Sequence, residues 1–148
     1  MTFNGISATT FNAVSSTEIT ATVPAAAATG PIEVTTPVGS ATSTTNFTVS
    51  TTHTRSVTLR LRKHLLARGV VSASDGFTGC VMDVPVKIQR RVSGHWKTIG
   101  STTTTATGAY RKRVPDRPGK YRAKAPKITL NAGADICSDA TSPVRTNS

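Results

Sequence analysis

Two cysteines, Cys80 and Cys137, are the residues of this chain best able to form a covalent link, and four aspartates flank them: Asp75, Asp83, Asp135 and Asp139. Each cysteine lies in a Gly-, Asp- and Ser-rich stretch rather than on an apolar helix face, which predicts a disulfide formed in an oxidising compartment. Closing a loop of that length is expected to stabilise the fold by about 4 kcal/mol in the chain-entropy picture. The same link would draw the four carboxylates into one neighbourhood, where loop oxygens suit a weak calcium site. The plainer alternative is a set of polar loop residues that turn the chain. His53, His64 and His95 share no ligand spacing with one another or with either cysteine, so no metal centre is expected.

Catalysis needs an acid or nucleophile held against a base, and no compact cluster of such types occurs. Glu18 and Glu33 fall on separate outward strand positions, as solvated carboxylates do. There is no glycine-rich phosphate cradle, dinucleotide fingerprint or zinc spacing. The expectation is a non-enzymatic protein without a cofactor.

Charge is the third kind of chemistry, and it changes abruptly along the chain. Residues 1–52 contain no Lys or Arg and only the two glutamates, whereas residues 53–148 hold all 18 basic residues against five aspartates. Any anionic partner must therefore meet the later part. Arg111, Lys112 and Arg113, with Arg117, Lys120, Arg122 and Lys124, are expected on two successive strands whose outward side chains form one positive stripe. Such a stripe could hold an anionic cell-wall polymer, an acidic polysaccharide or nucleic-acid phosphates, or serve only as a solubilising face. The aromatic residues nearby are few, and Trp96 and Tyr121 read as core.

The elements that would position these residues are strands. Apolar residues alternate with polar ones in Glu18-Ile19-Thr20-Ala21-Thr22-Val23, which predicts one buried face and one wet Thr face. The same alternation recurs in Val57-Thr58-Leu59-Arg60-Leu61 and in Val84-Pro85-Val86-Lys87-Ile88-Gln89-Arg90. Asn4-Gly5 is a strong hairpin signal, because both central positions of a type I′ turn need positive φ. Ser93-Gly94, Thr107-Gly108 and Pro118-Gly119 mark further turns. Helical periodicity is confined to residues 62–68. Short strands about 8 to 12 residues apart, with turn residues between them, predict an all-β chain of sandwich modules.

The first 50 residues resemble the later half of an IPT/TIG domain, an immunoglobulin-like fold. The match rests on Phe3-Asn4-Gly5, Ile19-Thr20-Ala21-Thr22-Val23-Pro24, Thr29-Gly30-Pro31-Ile32-Glu33-Val34-Thr35-Thr36-Pro37, Gly39-Ser40-Ala41-Thr42 and Phe47-Thr48-Val49. The strands that open that family's sandwich do not precede Phe3, so the resemblance implies an N-terminally truncated module. Its inner face would be exposed, or covered by another element or by self-association. Residues 56–148, with Gly94-His95-Trp96-Lys97-Thr98-Ile99, Thr107-Gly108-Ala109-Tyr110 and Gly119-Lys120-Tyr121-Arg122-Ala123, resemble the immunoglobulin-like or prealbumin-like repeats of actinobacterial secreted proteins. Asp116 and Tyr121, spaced Asp-x-x-Gly-x-Tyr, resemble an immunoglobulin tyrosine corner. Residues 51–55 are expected to be a linker between the two immunoglobulin-like β-sandwich modules.

No stretch approaches the roughly 18 apolar residues of a membrane helix, and Met1 leads into Thr2-Phe3-Asn4-Gly5 with no signal-peptide pattern. The expectation is a part of a longer secreted or cell-surface bacterial protein that spaces, displays or adheres. A nucleic-acid-binding protein and an accessory domain of a secreted hydrolase are the alternatives.

Overall fold

The computed structural model describes all residues, Met1–Ser148. The chain is all-β and divides into two compact units, Met1–Ser50 and Thr51–Ser148. No helix is long and apolar enough to cross a membrane.

In the first unit, β1 (Thr2–Phe3), β2 (Ile6–Ser7), β5 (Ile32–Thr36) and β6 (Gly39–Thr42) make an antiparallel sheet in the order β2-β1-β5-β6. A separate hairpin pairs β3 (Thr10–Ser15) with β4 (Glu18–Thr22). Asn4 and Gly5 turn β1 into β2 with φ of 48° and 81°, both positive as the hairpin signal requires. The Asn4 side chain fills the space over Gly30 and donates to the Thr29 carbonyl at 3.3 Å. Phe3 is buried and packs edge-on against Phe47, with ring centroids 5.1 Å apart. The predicted buried face of residues 18–23 is not realised. Ile19 and Val23 are exposed, and on the paired strand Phe11 is 60% exposed, because no second sheet of this unit covers the hairpin.

The second unit carries the main core. Its strands are β7 (Thr51–His53), β8 (Arg55–Val57), β9 (Arg60–Arg62), β10 (Leu66–Ala73), β11 (Pro85–Val92), β12 (His95–Thr103), β13 (Ala109–Arg113), β14 (Gly119–Ala125), β15 (Ile128–Leu130), β16 (Asp135–Cys137), β17 (Ala140–Thr141) and β18 (Arg145–Asn147). One sheet centres on β10, which pairs antiparallel with β8, β9 and β13. The other runs β12-β11-β14, and β14 continues to β17 and β18. Alternate residues of both sheets meet in one sandwich-like core: Val57, Ala67 and Val71 from the first, Val86, Ile88, Tyr121 and Ala123 from the second. Period-two alternation in residues 57–61 and 84–90 thus does what the pattern predicts.

Residues 51–55 are not a linker. Thr51–His53 pair in parallel with β16, and Arg55 begins β8, so the stretch is hydrogen-bonded into the second unit. Residues 62–68 are not a helix either. Only Lys63–Leu65 form a single 3-10 turn, with His64 and Leu65 at positive φ, and this turn closes the hairpin from β9 to β10. Burial of Leu65, 1% exposed, holds the turn against the core.

Cys80 and Cys137 form the disulfide, both buried, with Cα atoms 5.4 Å apart. It ties the turn Thr78–Cys80 to the end of β16 across a sequence separation of 57. The Tyr121 hydroxyl donates to the Arg117 carbonyl at 2.5 Å, four residues upstream. Tyr110 is buried as well, and its hydroxyl donates to the Thr58 carbonyl.

Gly69 stands opposite Tyr110 in the β10–β13 ladder. A Cβ there would lie 2.0 Å from the Thr58 carbonyl oxygen and 2.7 Å from the Tyr110 hydroxyl, so the backbone at Thr58 would have to shift. Gly69→Ala is expected to cost roughly 1–3 kcal/mol, the range for overpacking a filled interior. Urea unfolding checks this: the midpoint should fall with the slope unchanged.

Candidate functional site

Buried charge in the second unit is gathered on its first two strands. His53 ends β7 and is 6% exposed. Its Nδ1 lies 2.6 Å from Asp75 Oδ2 and its Nε2 lies 2.9 Å from Asp135 Oδ1. The ring stacks on Phe77 at 4.0 Å with an interplanar angle of 10°. Asp75, beyond the end of β10, also accepts the Phe77 backbone N–H at 3.1 Å. Asp135 opens β16 and accepts a second bond from the Asn131 amide. In the parallel ladder Cys137 sits opposite His53, so the disulfide and the carboxylate clamp secure the same short strand pair.

Hydrogen bonds donated to Asp135 and then to Asp75 hold the His53 imidazole above its ordinary value of 6.5, against the desolvation that lowers it. The same His53 contact is the main cause of both carboxylates sitting below their ordinary value of 3.8, aided by the Phe77 N–H at Asp75 and by Asn131 at Asp135. A neutral imidazole has one N–H and could satisfy only one carboxylate, whereas the imidazolium donates to both.

This arrangement is a structural clamp. Both ring nitrogens are spent, which leaves neither free to take a proton from a substrate. Both cysteines are in the disulfide, so no thiol is present. Nor do the four aspartates form a calcium cage. Asp75 and Asp135 face a cation of the protein itself, Asp139 pairs with Lys124 at 3.7 Å, and no three His, Cys, Asp or Glu side chains converge on a metal position.

Arg55 is the second buried cation, at 5% exposure. Its Nε donates to the Ser138 carbonyl at 2.6 Å and its Nη2 to the Pro126 carbonyl, and desolvation lowers its pKa. Arg55 therefore stitches β8 to the segments around β16, while its Nη1 has no partner within the chain.

The seven residues expected to form one basic stripe do not do so. Arg111, Lys112 and Arg113 lie on β13, which pairs with β10, while Lys120, Arg122 and Lys124 lie on β14, which pairs with β11. The strands are successive in sequence but belong to different sheets, and Arg117 lies in the segment that crosses between them. Arg122 and Lys124 are already engaged. Arg122 donates to Gln89 at 2.8 Å and lies 4.3 Å over the Trp96 ring, and Lys124 has Asp139. Trp96 is consequently a half-buried residue on the outer face of β12, opposite Arg91, rather than a core residue.

What β13 joins instead is a different set of arginines. In the sheet β9-β10-β13, Arg60, Arg68 and Arg111 stand in register as one row across three strands. All three are exposed, and none has an ion-pair partner. They line a groove of about 710 Å³ together with Thr58, Thr103 and Thr105. Arg60 and Arg68 were not among the expected site residues. The only hint of them in the sequence is that Arg60, Arg62, Arg68, Arg111 and Arg113 occupy outward positions of alternating segments.

No family model matches the chain, and no curated protein or solved structure matches it either.

The clamp makes stability depend on pH in two directions. His53 has a raised folded pKa, so its contribution is complete below 6.5 and is lost as pH rises through the folded value. Asp75 and Asp135 have lowered folded values, so theirs is complete above 3.8 and is lost as pH falls through them. Tm measured from acid to alkali at constant ionic strength should peak between those limits. In His53→Gln the fall on the alkaline side should flatten.

Proposed function

We propose that this chain is a non-enzymatic spacer and adhesion part of a secreted or cell-surface bacterial protein, whose second unit holds an anionic wall polymer or polysaccharide. In this reading the first unit is IPT/TIG-like, the second is immunoglobulin-like, and the first provides spacing. The observation that carries the reading is the disposition of charge. Among all the Lys and Arg side chains, only Lys124 is paired with a carboxylate, and two of the five aspartates are consumed by His53. The second unit therefore presents a strong uncompensated positive potential, which concentrates polyanions at its surface.

Three further features support it. The disulfide suits an oxidising, extracellular setting. The strands of both sheets are held in antiparallel ladders, with β10 and β11 each paired on both edges, which suits a fixed spacer. The one buried histidine is locked between carboxylates, where acid-base work would need a free nitrogen.

Retention of the purified chain on immobilised heparin and on wall teichoic acid tests the proposal. Binding is expected at low salt and should weaken steeply as added ions screen exposed charges beyond about 10 Å at 0.1 M. The isolated first unit, with no cation other than its amino terminus, should pass through both columns if it folds. Absence of retention of the whole chain at low salt would remove the adhesive role and leave the spacer alone.

A further inference from the structure

We infer that the outer face of the sheet β9-β10-β13 is the polyanion-binding site, and that its ligand is a linear polysaccharide or polyol polymer bearing repeated sulfate, phosphate or carboxylate groups. The inference rests on the reading above and gives it an address.

Arg68 is in register with Arg60 on one side and Arg111 on the other. Neighbouring strands are about 4.8 Å apart, so three like charges stand directly opposite one another, an arrangement that destabilises a sheet unless something neutralises it. Nothing in the chain does so. No carboxylate lies within ion-pairing distance of any of the three, and none of their guanidinium groups makes a hydrogen bond to the protein. Two residues further along the strands, about 6.8 Å away, Arg62 and Arg113 flank Leu66 on the same face. Five exposed arginines thus form a two-row grid on one side of three strands, free of acidic residues.

The residue type and the groove narrow the ligand. A planar guanidinium grips an oxyanion through two parallel hydrogen bonds, a geometry that Lys cannot reproduce. Thr103 and Thr105 line the same groove as the Arg60-Arg68-Arg111 row, and polar walls suit a partner carrying hydroxyls as well as charges. Single-stranded nucleic acid is disfavoured, since such sites stack bases on open aromatic rings. The one ring in this groove, Tyr110, is buried with its hydroxyl committed to Thr58.

The test compares two triple variants that remove equal charge: Arg60→Gln/Arg68→Gln/Arg111→Gln in the groove, and Lys97→Gln/Lys120→Gln/Lys127→Gln elsewhere on the same unit. Heparin, polygalacturonate and wall teichoic acid serve as sulfate, carboxylate and phosphate probes, and a DNA duplex as the competing macromolecule. The groove variant is expected to bind at least one of the three polymers about tenfold or more weakly, with a shallower salt dependence, while the lysine variant stays within about threefold of the parent chain. Which polymer binds most tightly identifies the anion. Arg68→Lys, which keeps the charge and loses the fork, should also weaken binding. Without ligand, the groove variant should melt no lower than the parent chain, because a repulsive row has been removed.

Equal loss in both triple variants would overturn the groove while leaving a diffuse polyanion binder in place. Failure of the parent chain to bind any polymer would overturn the underlying reading, and the groove with it. A groove-dependent preference for the DNA duplex over all three polymers would overturn the ligand class. A groove variant that melts well below the parent would show that these arginines stabilise the sheet and would overturn the argument from repulsion.

Discussion

The pairing register of β10 is the constraint on which the second unit depends. This eight-residue strand is hydrogen-bonded to β8, β9 and β13, so its register is set on both edges at once. Successive side chains of a strand point to opposite faces, which means that one choice of register decides two surfaces. Ala67 and Val71 go inward to the core, and Leu66, Arg68 and Val70 go outward. A slip of one residue would drive Arg68 into the apolar interior, where an unpaired guanidinium is very costly. The same register therefore sets the backbone positions of both the arginine grid and the core it backs.

At the other end of the same unit, a short parallel pair would be weak if left to its hydrogen bonds. The β7–β16 ladder has only three residue pairs, and it joins segments more than 80 residues apart in sequence. The disulfide, the doubly held His53 and the buried Arg55 all act at this junction. Each buried cation there is met by oxygens, although one nitrogen of Arg55 is left without a partner. Burying a charge costs less when several hydrogen bonds replace its water, and His53 meets that condition at both nitrogens.

Sequence-local signals are legible wherever geometry is decided within a few residues. The Asn4-Gly5 turn, the alternating segments around Leu59 and Val86, and the burial of Tyr121 all follow from neighbours along the chain. The cysteine pairing was legible because only two cysteines exist. Alternation in residues 18–23 was real, but alternation states which side chains share a face and cannot supply a covering layer. The residues at 62–68 read as a helix because the left-handed turn that binds β9 to β10 has no strong glycine signal.

What the sequence determined by itself is the all-β class, part of the strands and the turns between them, the crosslink and the concentration of positive charge in the second unit. Tertiary structure alone decided which charges meet. Arg111 and Lys120 are nine residues apart yet lie in different sheets, while Arg60 and Arg111 are distant in the chain and share a row. His53 shows no motif spacing, and its partners are assembled from the end of one hairpin and the start of another strand. The physical reason is that side-chain alternation is a local property of the backbone. Cross-strand neighbours, by contrast, are set by hydrogen-bond register between segments whose separation in sequence carries no trace of it.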